Sequence, residues 1–427
     1  MDDRPYCLVG AGPAGLAAAR WLKAFDVPFQ AFERNADVGG IWNIAFPGSP
    51  IYESAHFISS RTLSGFRDFP MPESYPDYPS HHQVLRYLEQ YADRFDLRRC
   101  FQFGKTVAST RPEADGWRVR FEDGSEASYA GLIAATGCEW RPFMPEIPGE
   151  FTGAVIHSRD YKSPRQFDGK RVLIVGAGNS GCDIACDASR NASKAFLSMR
   201  RGYYFVPKHI FGKPADVFAE SGPHLPYVIE RPLLQALLRL LNGDVSRLGV
   251  PRPDHSILES HPVMNTQILH ALRHGDIEVR PDVREFRGAD VVFTDGKTER
   301  IDLVVLATGY RRGVPFVPSD LLVDDDVSPL YLNVFHRRDP RLFVLGHFTT
   351  DGGAYPIVDR QAELLGRVLD GQRRGASLGA FTGAMNGSPP DFSGGVRYQN
   401  VRRMANYVKS RPYQKYLDRL LASCRNG

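Results

Sequence analysis

The sequence lacks a dominant charge, a spaced cysteine framework and any long uninterrupted apolar run. Its 53 basic and 49 acidic residues leave a formal charge of +4 over 427 residues, which makes no bulk electrostatic case for nucleic acid. Six cysteines, at 7, 100, 138, 182, 186 and 424, are scattered, so a disulfide scaffold is excluded and a reducing compartment, by default the cytoplasm, is expected. The apolar run at 233–241 is broken by Gln235 and Arg239 and is too short to span a bilayer. It reads as packing or an oligomer contact ahead of a peripheral membrane contact. The N-terminal apolar segment follows acidic residues, is interrupted by glycines and contains a glycine loop, so it does not read as a cleaved signal or a transmembrane segment. What remains is ordinary globular composition, 42% apolar and 24% charged, with length for two to three domains.

Two glycine fingerprints are present. The first, GAGPAG at 10–15, follows a strand-like YCLV (6–9) and precedes a helix-prone LAAARWLKAF (16–25); a second strand-like run, VPFQAFER (27–34), ends near Glu33. This is the layout of a dinucleotide-binding βαβ unit. The glycines allow a tight turn and close approach of a pyrophosphate to a helix N-terminus, and the acid receives ribose hydroxyls. The second, GAGNSG at 176–181, is flanked by RVLIV (171–175), CDIACDAS (182–189) and KAFLSMRR (194–201). Where the first unit carries an acid, this one carries Arg200 and Arg201. A carboxylate repels a ribose 2′-phosphate, whereas a guanidinium grips it with paired hydrogen bonds. One acid-type and one arginine-type site together suit an adenine-bearing flavin and NADPH.

The same grammar recurs after each fingerprint. The first unit continues through 117–121, a turn at Asp123-Gly124 and LIAATG (132–137); the second through VVF (291–293), a turn at Asp295-Gly296 and LVVLATGY (303–310). The fold class is therefore α/β, with two Rossmann-like units: a flavin domain (1–165 plus 312–427) and an inserted NADPH domain (166–311) carrying a helical insertion at about 203–265. Residues 36–80, rich in Pro, Gly, Ser and aromatics, read as a functional flap. A helix follows, with Ser80 and Gln83 at capping-box spacing. The tail reads as a strand at 341–348, a helix at 360–369, an irregular loop at 371–395 and a basic helix over about 396–421.

Several stretches together, in order along nearly the whole chain, resemble the flavin-containing monooxygenases, which are class B flavoprotein monooxygenases. They are ERNADVGGIW (33–42), FPMPESYPDYPSHHQVLRYL (69–88), FTGAVIHSRDY (151–161), GAGNSG with MRRG (199–202), and LATGY (306–310). The most specific is the Phe151-x-Gly153-x-x-x-His157-x-x-x-Tyr161 pattern. The resemblance implies that Gly10, Gly12, Pro13, Ala14, Gly15, Glu33, Arg34, Gly40, Ile41 and Trp42 hold FAD, with the Val107 backbone at the adenine. It implies that Gly176, Gly178, Asn179, Ser180, Gly181, Arg200 and Arg201 hold NADPH. His157 and Tyr161 would support NADP binding and domain coupling, and Thr308 and Gly309 would complete the cofactor set; no metal is implied.

The activity implied is an NADPH- and dioxygen-dependent monooxygenation through a C4a-hydroperoxyflavin, placing oxygen on a nucleophilic nitrogen or sulfur of a small molecule. Many members carry Asn-Ser beside the flavin where this chain has Ile58-Ser59, so His56, Ser59 or Ser60 would have to supply the hydrogen bond. Alternatives stay open. A Baeyer–Villiger ketone oxygenase uses the same cofactors but usually has Trp where Tyr161 stands. An uncoupled NADPH oxidase would follow from Ile58, and a non-enzymatic flavin redox sensor needs only the cofactor. A disulfide reductase would need Cys182 and Cys186, which stand i, i+4 on a helix rather than in a Cys-x-x-Cys loop. A homodimer is compatible with all of these.

Overall fold

The computed structural model describes residues 4–223, 225–326, 328–388 and 390–424. Strand β1 (Tyr6–Val9), helix α1 (Pro13–Ala24) and strand β2 (Phe29–Glu33) form the first βαβ unit, with β1 and β2 parallel and Tyr6 opposite Phe29. They sit in a seven-stranded sheet whose other members are Phe101–Phe103, Leu132–Ala134, Leu342–Val344, Phe335–His336 and Leu330–Tyr331. The sheet mixes residues from both ends of the chain, because Leu342–Val344 pairs in parallel with Leu132–Ala134. Helix α1 packs on the helix Tyr355–Arg374, and Gly366 is what lets them close: a Cβ there would stand 2.8 Å from the Phe25 ring and 3.2 Å from the Trp21 carbonyl oxygen.

The second unit consists of β3 (Arg171–Val175), α2 (Asn179–Asn191) and β4 (Lys194–Ser198). Its sheet has five strands, all parallel, in the order Ala154–His157, Leu303–Leu306, β3, β4, Ile277–Arg280. Leu173, Ile174, Val304 and Val305 are wholly buried in it. Full burial of a Val, Leu or Ile contributes roughly 1.5–3 kcal/mol per side chain, and the near-continuous apolar runs are those of strands covered on both faces.

Several sequence expectations need adjustment. The stretch expected as a loop at 371–395 contains the helix Gly379–Asn386, held down by the buried Phe381 against Tyr331 and Phe335. The basic helix expected over 396–421 begins only at Ser410. Pro412 is the reason: it lies in the first turn, where its missing N–H is among those that would be unpaired anyway. The preceding residues run instead as a strap whose Tyr407–Val408 pairs with Thr349–Thr350. β4 ends at Ser198, so Arg200 and Arg201 stand on the turn beyond it. Val107 is the first residue of the strand Val107–Glu113. The Ser80/Gln83 capping box is formed at the start of His81–Arg94. The insertion holds a short hairpin and the helices Ala215–Ser221 and Tyr227–Asn242. Among the described residues no helix is long and apolar enough to cross a membrane.

Candidate functional site

The two glycine turns are built alike in space. Gly10 takes φ +109° and Gly176 φ +105°, and a Cβ on either would sit 2.5 Å from a carbonyl oxygen, that of Ala135 or Ala307. A Cβ on Gly15 would run into the Gly10 carbonyl oxygen, and one on Gly181 into that of Gly176. Each helix therefore starts pressed against the strand end, preceded by Gly12 or Gly178 with no side-chain cap. Uncapped first-turn N–H groups at the positive end of a helix suit an anion. Two buried polar atoms with no partner among the described residues lie close by: the Thr136 hydroxyl, following Ala135, and the Asn179 side-chain amide nitrogen. The residues present thus fit a pyrophosphate at each turn.

At the first turn Gly40, with φ +55°, faces Gly12, and a Cβ on it would stand 2.8 Å from the Gly12 Cα. Glu33 is buried; its Oε2 accepts from the Ala11 N–H at 2.7 Å, and its Oε1 from the Asn35 backbone and side chain at 2.9 and 2.7 Å. A carboxylate has about four lone-pair positions, so one remains for a ribose hydroxyl. The Arg34 guanidinium lies 4.1 Å from the Trp140 ring centroid. Ser49 Oγ donates to the Ile41 carbonyl at 2.6 Å, and Trp42, Phe57 and Tyr355 form an aromatic wall with centroid spacings of 5.1 and 5.5 Å.

At the second turn Arg200 is exposed, with no ion pair among the described residues, while Arg201 donates to Gln399 Oε1 at 2.7 Å. Ser180 is exposed at the start of α2, and Asn179 Oδ1 accepts from the Met264 N–H at 2.8 Å, tying the end of the insertion to the fingerprint.

The hinge motif is a set of staples between these parts. Phe151 packs on Phe286 at 5.0 Å, and Gly153 leaves room for the Asp302 carbonyl, which a Cβ would meet at 2.6 Å. His157 Nε2 is 3.1 Å from the Gly309 carbonyl, and Nδ1 accepts from the Arg159 N–H at 3.1 Å. These contacts suit one neutral tautomer, and burial lowers its pKa. Gly309 N lies outside that bond; its carbonyl also accepts from the Phe143 N–H at 2.9 Å, while Thr308 Oγ1 donates to Phe143 O at 2.6 Å. Tyr161 is wholly enclosed, stacked on Phe167 at 4.8 Å, and donates to Asp187 Oδ2 at 2.9 Å. Burial, then the Asp187 charge, pushes the phenol far above its usual range. Tyr161, expected to support NADP binding and domain coupling, is enclosed and bonded to Asp187 of α2. Asp187 also receives Ser54 Oγ at 2.5 Å, which ties the flap to α2.

In the flap, Ile58 is 41% exposed despite being apolar. Of its polar neighbours, His56 Nδ1 is 2.9 Å from Ser54 O and Ser59 Oγ accepts from Ser64 Oγ at 2.8 Å. Ser60 is buried; its N–H donates to Asp216 at 2.6 Å and its hydroxyl has no partner among the described residues. Sequence reasoning missed Thr136, which the repeat of ATG at 135–137 and 307–309 could have flagged. It also missed Asp187 and Gln399, for which no local pattern exists. Cys182 and Cys186 are free and buried, with burial pushing both thiols up, Cys186 to about 12; neither is a ready thiolate.

A family model described as flavin-binding monooxygenase-like matches residues 4–386. The chain belongs to this family. Members use FAD and NADPH, and the chain is an oxidoreductase of the flavin-containing monooxygenase kind. It is 32% identical to flavin-containing monooxygenase 5 of Mus musculus, over 94% of this chain and 80% of the relative. It is 36% identical to the probable indole-3-pyruvate monooxygenase YUCCA9 of Arabidopsis thaliana, over 72% of this chain and 75% of that one. Its fold matches an open crystal structure of cyclohexanone monooxygenase with a TM-score of 0.74 at 18% identity, covering 98% of both chains.

Proposed function

We propose that this monooxygenase seats FAD on the first glycine turn and NADPH on the second, and inserts oxygen into a nucleophilic nitrogen or sulfur of a small apolar molecule. The observation that carries the assignment is the pair of uncapped helix N-termini with opposite charge beside them, Glu33 at one and the exposed Arg200 at the other. When bound, FAD supplies hydride acceptance from NADPH and activation of dioxygen. The chain's own residues then bind, orient and exclude water. Glu33 would take the adenosine ribose of FAD, and Gly12 and Gly40 would flank its pyrophosphate. Trp42, Phe57 and Tyr355 would wall the reactive ring from solvent. Arg200 and Arg201 would take the 2′-phosphate, and the His157 bond to Gly309 would keep the two sites in register. No side chain is required as a proton-abstracting base.

Under this reading residues 1–165 with 312–427 serve the flavin and 166–311 serve NADPH, although Ala154–His157 already pairs into the second sheet. The free cysteines support a reducing, cytoplasmic setting. Tyr161, in place of the Trp usual in ketone oxygenases, supports heteroatom chemistry. The test is oxidation of NADPH against NADH by the FAD-loaded protein over amines, sulfides and ketones, with peroxide measured alongside. N- or S-oxide formation with NADPH is the expected result. Lactone formation without sulfide oxidation would replace the heteroatom reading, and preference for NADH would remove the arginine argument.

A further inference from the structure

Residues 398–408 form a strap that touches both nucleotide-binding units. At one end Asn406 Nδ2 donates to the His347 carbonyl at 2.6 Å, Arg312 donates to Asn406 Oδ1, and Tyr407 and Val408 pair with Thr349 and Thr350. At the other end the Gln399 N–H donates to the Glu259 carbonyl at 2.8 Å, and Gln399 Oε1 receives Arg201 Nη1 at 2.7 Å. The Gln399 amide nitrogen points the other way, 3.3 Å from Asp254 Oδ1, an oxygen that also lies 2.8 Å from His255 Nδ1.

This arrangement matters because Asp254, already a distant ion-pair partner of Arg201, is the carboxylate that would otherwise hydrogen-bond it directly. Asp254 is ionised at neutral pH, since its hydrogen bond with His255 holds its carboxyl below the ordinary range. Arg201 Nε stops 4.0 Å short of Asp254 Oδ2, beyond hydrogen-bond length. The two segments are brought this close by Gly202: a Cβ there would run into the Pro251 carbonyl oxygen, and would stand 2.5 Å from Pro253 N. A guanidinium has five N–H donors, and among the described residues one of them is spent on a neutral amide. Gln399 therefore holds Arg201 by a hydrogen bond and leaves its ion pair with Asp254 long, with no hydrogen bond between the two.

We infer that Gln399 is a positioning residue for the pyridine nucleotide: it presents Arg201 to the ribose 2′-phosphate and keeps Asp254 from capturing it. The strap thereby makes preference for the phosphorylated nucleotide depend on a residue 198 positions away from Arg201. The inference rests on the reading of Arg200 and Arg201 as the 2′-phosphate grip, and its test separates the two.

Equilibrium binding of NADP⁺ and of NAD⁺ to the FAD-loaded protein is measured by calorimetry for wild type, Gln399→Leu, Gln399→Met, Gln399→Leu/Asp254→Asn and Arg201→Ala. Flavin absorbance and thermal midpoint report folding. Freeing the Arg201 side chain is expected to weaken NADP⁺ by roughly two- to ten-fold and leave NAD⁺ unchanged, in both Gln399 variants. Removing the Asp254 charge in the double variant should bring NADP⁺ back to within about two-fold of wild type, because the competing carboxylate is gone. Equal weakening of both nucleotides, no change, or tighter NADP⁺ in the Gln399 variants would overturn the inference while leaving the 2′-phosphate reading standing if Arg201→Ala still costs NADP⁺ selectively. An Arg201→Ala variant with an unchanged NADP⁺ to NAD⁺ ratio would remove that reading for Arg201 and the inference with it.

Discussion

Replacing Tyr161 with phenylalanine separates a supporting residue from one that touches the nucleotide. The substitution keeps the ring, so stacking on Phe167 at 4.8 Å and the contact with Tyr52 at 5.5 Å survive. Only the hydroxyl is lost, and with it the 2.9 Å bond to the buried Asp187. A hydrogen bond to a charged group contributes about 1.5–3 kcal/mol. Ser54 Oγ remains on the same carboxylate oxygen, which places the cost near the lower end, about 1.5–2 kcal/mol. For a chain of this length that is a fall of roughly 2 °C in the calorimetric midpoint if it unfolds as one unit. NADP⁺ affinity, measured by titration calorimetry on the FAD-loaded protein, should stay within about two-fold, since the ring is enclosed and has no free edge for a ligand. A loss of NADP⁺ affinity beyond about five-fold with an unchanged midpoint would refute the placement, because it would mean that the hydroxyl meets the nucleotide.

Other outcomes follow from the same geometry. Arg200→Ala should weaken NADP⁺ by roughly ten-fold or more through loss of a charge-assisted bond and leave NAD⁺ alone; equal effects on both would sink the 2′-phosphate assignment. Gly15→Ala puts a methyl against the Gly10 carbonyl oxygen, so the purified protein should lose bound FAD and its yellow absorbance, and full flavin retention would count against the first site. Ile58→Asn should lower the peroxide released per NADPH oxidised, if the exposed Ile58 side chain faces the flavin; an unchanged ratio would place it elsewhere. His81 and His347 are buried, with burial pushing both imidazoles down to about 4. Both are neutral in the folded and unfolded chain above about pH 6.5, so neither affects stability there. Between pH 6.5 and 4 the unfolded chain takes up protons that the folded one refuses, so stability falls with falling pH by up to roughly 1.4 kcal/mol per unit for each histidine. Urea midpoints at pH 7 and 5 measure this, and equal midpoints would refute it.

Much of the fold was legible because it rests on short-range rules. A strand, a glycine turn that only glycine can make, a helix and an acid at fixed spacing describe Tyr6 to Glu33 without any tertiary information. The capping box at Ser80 and Gln83 is local in the same sense. The misreadings were at places where packing outweighs composition. Phe381 turns a Gly- and Ser-rich loop into a helix because Tyr331 and Phe335 offer it a pocket. Pro412 delays a helix that charge and apolar spacing alone would start earlier. The hinge motif was recognisable as a pattern, but its work was not: Phe151, Gly153, His157 and Tyr161 each answer to a partner far along the chain.

By itself, then, the sequence determined two nucleotide-binding units in series and the opposite charge beside them, Glu33 against Arg200 and Arg201. Backbone freedom at glycine and the sign of a side chain are properties of single positions. Only the tertiary structure decided that Tyr161 bonds to Asp187, that the Thr136 and Ser60 hydroxyls are buried with no partner among the described residues, and that Gln399 contacts both Arg201 and Asp254. Those contacts join residues 26 to 198 positions apart. Their distances are set by sheet order and strap path, which no local spacing encodes.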